Sequence, residues 1–173
     1  MREYNCSEER ACSIKPPCPT GVILACGQGG YVDLSNMPTN GSTLASISID
    51  TTLLTRAIIK IDFSCILSYS VTVLEELDLI FTLVRTNTKG EIKELASWPY
   101  KILMDQITGG AEEDQYIFIT LEKNESFSIE YCDELLCGSC NTYSMRVNTN
   151  YFNITNAVIQ SSTINAIAGP THN

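Results

Sequence analysis

From Thr43 onward, apolar and polar residues alternate with a period of two rather than 3.6. That spacing belongs to β-strands with one buried and one wet face, and it predicts a chain made almost wholly of strands. Thr43 to Asp50 opens the series. In Ile59 to Leu67, the positions Ile59, Ile61, Phe63, Cys65 and Leu67 alternate with Lys60, Asp62 and Ser64. Leu77, Leu79, Phe81 and Leu83 then alternate with Asp78, Ile80, Thr82 and Val84. Asn87-Thr-Lys-Gly90 has turn composition and joins this strand to Glu91 through Tyr100 as a hairpin, with Pro99 marking an edge or a strand end. Tyr116 to Leu121, Ser126 to Cys132, Thr142 to Tyr151 and Asn156 to Ala168 bring the set to about eight strands. Ser126 to Cys132 places Phe127, Ile129 and Tyr131 on one face and Glu130 and Cys132 on the other. The last strand slips phase near Ser161-Ser162, which predicts a bulge. Val71 to Leu77 is a short helix-like stretch. This number and spacing of strands predicts an all-β fold, an antiparallel β-sandwich, most simply an eight-stranded jelly roll.

The first 30 residues break the pattern. Cys6, Cys12 and Cys18 recur every six residues, Cys26 follows, and Ser7 to Pro17 between them is polar and proline-interrupted. A short apolar patch, Gly21-Val-Ile-Leu-Ala25, leads into Cys26-Gly-Gln-Gly-Gly30. Residues 1–30 therefore read as a cysteine-bearing N-terminal arm with a glycine hinge at Gly27, Gly29 and Gly30, and residues 31–173 as the sandwich. Val22, Ile23 and Leu24 are expected to dock on a neighbouring subunit, as an added strand or in a groove. The glycines are no dinucleotide fingerprint, because G-x-G-x-x-G is incomplete and Asp33, Pro38 and Gly41 follow where a helix is needed.

Composition narrows the function classes. A sandwich of about 140 residues can bury roughly two-thirds of its unfolded surface, so the disulfides expected of eight cysteines serve durability or covalent assembly rather than bare foldability. The arm carries three acidic and three basic residues, the remainder 17 acidic and 8 basic, and the whole net charge of -9 falls on the sandwich. Such a surface repels phosphate backbones and anionic lipids, which argues against nucleic-acid and membrane partners. No apolar run reaches the length of about 18 residues that a spanning helix needs. The N-terminus lacks a basic segment followed by an apolar stretch, so no secretion signal is read. Cysteines that need an oxidising destination, without an export signal, fit release of the protein when the cell lyses.

Catalytic chemistry has little to stand on, and no catalytic residue, cofactor or resident metal is assigned. The sole histidine, His172, follows Gly169-Pro170 near the end of the chain, where nothing holds it against a nucleophile. The runs Glu75-Glu76, Glu112-Glu113-Asp114 and Asp133-Glu134 read as solvated loops. Cys132-x4-Cys137-x2-Cys140 contains one zinc half-site without a matching second knuckle, and disulfide bonding is the stronger reading. Cys65, on the face of Ile59, Ile61 and Phe63, reads as buried or disulfide-bonded. Cys6, Cys12, Cys18, Cys26, Cys132, Cys137 and Cys140 are the candidates for intersubunit disulfides. A second reading is a monomeric carbohydrate-binding or adhesive module with internal disulfides only and a platform of Trp98, Tyr100, Tyr151 and Phe152.

The strings Thr43 to Thr51, Ile58 to Ser64, the Trp98 strand, Phe127 to Cys132, Tyr143 to Val147 and Ile154 to Ala168 resemble a clostridial family of small cysteine-rich β-domains of unknown function. A cysteine-bearing arm ahead of a β-sandwich also resembles the subunits of bacterial endospore appendages, pilus-like fibres in which arms reach into preceding subunits and form disulfides. The resemblance implies an extracellular protein of the spore surface whose partner is itself. The expected function is thus a structural subunit of a disulfide-cross-linked helical fibre.

Overall fold

The computed structural model describes residues 21–54, 56–71, 75–103, 120–154 and 156–170, leaving out the side chain of Tyr151. The described chain is β throughout apart from one 3-10 turn, Leu34–Asn36. Asp33 caps that turn, accepting from the Ser35 amide at 2.9 Å and from the Asn36 side chain at 2.8 Å. The strands are β1 (Ile23–Gln28), β2 (Val32–Asp33), β3 (Ser42–Asp50), β4 (Ala57–Val71), β5 (Glu76–Asn87), β6 (Ile92–Leu103), β7 (Leu121–Leu135), β8 (Cys140–Asn153) and β9 (Asn156–Pro170).

They form two antiparallel sheets packed as the expected sandwich. The first has the order β1-β9-β4-β7, with β2 also on β9, and the second has the order β3-β8-β5-β6. The pairs are nested, the first long strand with the last (β1 with β9), then β3 with β8, β4 with β7 and β5 with β6. The alternation decides which side chains meet between the layers. Ile59, Ile61, Phe63 and Leu67 of β4 face Leu77, Leu79, Phe81 and Leu83 of β5 and Tyr143, Met145 and Val147 of β8 across the core, all essentially sealed from solvent.

Local chemistry explains the joints. In the β5–β6 hairpin, Asn87 Oδ1 accepts from the amides of Lys89 and Glu91 at 2.9 and 3.0 Å, and Gly90 takes the left-handed φ of +79° that closes the turn. Pro99 lies in β6, an edge strand, where its missing amide breaks no interior ladder. The expected bulge is present: Ser64 pairs with Thr163 and Ile66 with Gln160, so Cys65 faces both Ser161 and Ser162, and Ser161 adopts φ +53°.

The expected division at residue 30 moves. Residues 23–28 run in full register with Thr163 to Ala168 as an edge strand of the first sheet. Gly27 and Gly29 are therefore no hinge. A Cβ at Gly27 would run into the carbonyl of Ser46 and one at Gly29 into that of Leu44, so these glycines let β1 close against β3 at the side of the sandwich. The Gly29 amide also donates to the Ser162 carbonyl at 2.7 Å. A Cβ at Gly30 would meet nothing within 4 Å. Val71 to Leu77 holds no helix among the described residues; Val71 ends β4, and Glu76 and Leu77 begin β5.

Candidate functional site

Of the residues expected to dock elsewhere, Ile23 packs against this chain's own core, while Val22 and Leu24 remain 65% and 69% exposed. The reason is the alternation of β1, which sends Ile23 and Ala25 inward and Leu24 and Cys26 outward. Strand register carries the outward residues across the sheet in rungs. One runs Leu24, Ile167, Lys60, Cys132, and the next runs Cys26, Asn165, Asp62, Glu130. In the neighbouring rung Gly169 pairs with Ile58 of β4, and Val22 lies just ahead of β1. The outer face thus has an apolar corner, with Ile58 46% and Ile167 41% exposed, and a polar middle.

In that middle, Lys60 Nζ lies 3.2 Å from Asp62 and 3.1 Å from Glu130. Hydrogen bonds to Glu130 and then Asp62 raise its pKa. Around these groups lies an open hollow of about 240 Å³, lined also by Ser64, Ser128 and Asn165. Its ionic groups are one cation between two carboxylates, and no aromatic wall except the core residue Phe63 adjoins it.

Two free thiols stand on this face, Cys26 on β1 and Cys132 on β7, both exposed. Cys65, also free, is buried, and burial pushes its pKa up to about 12, so it is a small core hydrophobe and not a nucleophile. Cys137 and Cys140 are disulfide-bonded. They flank Gly138 and Ser139 where the β7–β8 loop enters β8, and Thr51 pins that loop by a reciprocal pair with Ser139: Thr51 Oγ1 donates to the Ser139 carbonyl at 2.8 Å and accepts from its amide at 3.1 Å. Cys6, Cys12 and Cys18 lie outside the described residues, as do His172, Tyr116 and the run Glu112 to Asp114. Among the described residues, no three His, Cys, Asp or Glu side chains gather to hold a metal ion, and no helix is long and apolar enough to cross a membrane.

The run Asp133-Glu134 is not a solvated loop. It continues β7, with Glu134 outward on Arg56 at 2.6 Å and Asp133 inward. Asp133 Oδ2 accepts from Arg85 Nη1 at 2.6 Å and from the Tyr143 hydroxyl at 2.8 Å, which ties β7 of one sheet to β5 and β8 of the other. Burial, then Asp133, raises the pKa of Tyr143. The signal for this cluster was the phase of Phe127, Ile129 and Tyr131, which Asp133 shares.

Of the aromatics expected to form a sugar platform, Trp98, Tyr100 and Phe152 turn inward, and the side chain of Tyr151 lies outside the described residues. Trp98 meets Tyr131 edge-on at 6.4 Å, Tyr100 meets Phe127 edge-on at 6.0 Å, and Phe152 packs against the core. The Tyr100 hydroxyl donates to Glu125 Oε2 at 2.5 Å, and Tyr69 approaches the same carboxylate. Burial, aided by Glu125, pushes Tyr69 up to about 12. The Tyr100 hydrogen bond, foremost, holds the Glu125 carboxyl below its ordinary value, against an opposing desolvation. A depressed carboxyl adds stability that is complete above the unfolded value of about 4.3 and is lost as pH falls through the folded value. Glu125→Gln is therefore expected to flatten part of the fall in urea midpoint below about pH 4.5; an acid limb identical to the parent's would remove Glu125 from that account.

Solved structures similar to the chain share little sequence with it. The structure of Eiger TNF from S. frugiperda is 12% identical, with 88% of this chain and 96% of that chain covered and a TM-score of 0.46. The structure of infectious bursal disease virus Gx strain is 10% identical, with 92% and 37% covered and a TM-score of 0.46. The CBM22-1 xylan-binding domain from Paenibacillus barcinonensis Xyn10C is 13% identical, with 84% and 94% covered and a TM-score of 0.33. No curated protein matches the chain. Residues 18–169 match the family described as Domain of unknown function (DUF4489), and the chain belongs to that family.

Proposed function

We propose that this member of an uncharacterised family is a structural, non-enzymatic subunit that assembles with copies of itself and is cross-linked through cysteines. In this reading the sandwich is a jelly roll, supported by its four nested strand pairs. The observation that carries the assembly is the pair of free, exposed thiols on one outer face, Cys26 and Cys132. Cys26, Cys65 and Cys132 are free, and of eight cysteines this leaves Cys6, Cys12, Cys18, Cys137 and Cys140. Cys137 and Cys140 are disulfide-bonded, and a cysteine without a partner in its own chain seeks one on another molecule in an oxidising setting. Cys26 and Cys132 are exposed acceptors for it.

Contacts in which the N-terminal segment of one subunit ends on the next are heterologous, and they build open helical fibres when the rotation does not close. A fibre of this kind, extracellular and on the spore surface, is the assembly we assign. Purified protein under mild oxidation is expected to run as a ladder in non-reducing electrophoresis and to collapse to one band with thiol. A single monomer band under both conditions would overturn the assembly and favour a binding module with internal disulfides.

A further inference from the structure

We infer that the outer face of the first sheet, along Val22, Leu24, Ile58 and Ile167, receives the N-terminal segment of a second copy of this chain, sealed there by a disulfide to Cys26 or Cys132. The inference rests on the assembly reading above and names the surface that it requires. Ile58 pairs with Gly169, where a Cβ would meet nothing within 4 Å, and Val22, just ahead of β1, is exposed. Leu24 and Ile167 extend the same apolar strip by one rung. Exposed apolar side chains beside a position without a side chain suit an extended peptide. The thiols bracket the strip: Cys26 is two residues beyond Leu24, and Cys132 ends the rung that Leu24 and Ile167 begin.

The occupant follows from what precedes β1. Twenty residues lie ahead of Gly21, enough when extended to span about 66 Å, and the chain enters β1 through this same corner. Pro16, Pro17 and Pro19 have no amides to give to an edge ladder, so that segment suits lying across a face better than adding to an edge. With three acidic and three basic residues, the segment is spared the repulsion that two acidic sandwiches exert on each other.

The seal is a thiol–disulfide exchange with a low-molecular-weight disulfide as oxidant. The thiolate of one cysteine attacks the oxidant, forming a mixed disulfide and releasing one small thiol. The second cysteine then attacks that mixed disulfide and releases the other small thiol. Two S–H bonds and the oxidant's S–S bond break, one protein S–S bond forms, and both protons leave on the two small thiols.

The test uses the full chain with oxidised glutathione, followed by non-reducing electrophoresis and by peptide mapping of isotopically mixed subunits. Cross-copy peptides are expected to join Cys6, Cys12 or Cys18 to Cys26 or Cys132, and the double variant Cys26→Ser/Cys132→Ser is expected to lose the ladder. Ile58→Glu, at an exposed position, is expected to slow cross-linking about tenfold with an unchanged circular dichroism spectrum, and a synthetic peptide of residues 1–20 with serine for cysteine should compete. A ladder that persists in the double variant, or an unchanged rate with Ile58→Glu, overturns this surface while leaving assembly intact. No ladder from the unaltered chain overturns the assembly reading itself.

Discussion

Asp133→Ala is expected to destabilise the protein by about 3–5 kcal/mol, the range for breaking a buried ion pair by removing one partner. The side chains of Arg85 and Asp133 are 19% and 8% exposed, and Tyr143 is wholly buried. Removing the carboxylate strands a cation and a hydroxyl with no water to replace it, and these sit on two different strands of the opposite sheet. Burial works against the Arg85 charge, and Asp133 outweighs that cost, so the guanidinium pKa stays raised. The urea midpoint against the parent measures the loss. Taking the whole cluster to apolar residues of similar volume, Asp133→Leu with Arg85→Met and Tyr143→Phe, should recover most of it, because the cost lies in orphaned groups more than in the pair itself. A loss below about 1 kcal/mol for Asp133→Ala would mean that water screens the pair as it does on a surface.

Phe81→Ala should cost a comparable amount, about 3–5 kcal/mol, for a different reason. Phe81 is fully buried on β5 and stacks on Phe127 of β7 with ring centroids 4.1 Å apart and planes 19° apart, while Tyr100 meets it edge-on at 6.4 Å. Its removal opens a cavity between the sheets at the side where Tyr100 and Trp98 seal β6 to β7. Near-ultraviolet circular dichroism should lose intensity from these aromatics even below the unfolding transition. A variant that kept the parent's midpoint would show that the seam collapses freely around the gap.

Most strands were legible because a sandwich strand with one wet face writes its orientation into every second residue, as in Ile59 to Leu67. β1 was not, since Gly27 and Gly29 supply no alternating side chains and glycine reads as freedom. Here it marks the opposite, a backbone approach too close for a Cβ. The Asp133 cluster was hidden for a related reason. Two adjacent carboxylates suggest a wet loop, yet in a strand neighbours face opposite ways, so Glu134 meets solvent and Arg56 while Asp133 enters the core. The apolar corner at Ile58 and Ile167 was invisible, because it exists only where β4, β9 and β1 lie side by side.

The nesting of the pairs also sets an order of events on the ribosome. β1 is made first of the strands and its strand partner, β9, last, and β9 lies between β1 and β4 in the first sheet. Until residues 156–170 have emerged, β1 has no neighbour in its sheet and β4 lacks one of its two. Long-range pairing of this kind pays its loop-closure entropy before any contact rewards it, which slows folding. The first sheet therefore closes only once residues 156–170 have emerged, and a chain stalled before β9 leaves one edge of β4 unpaired and open to whatever in the cell binds unfinished proteins.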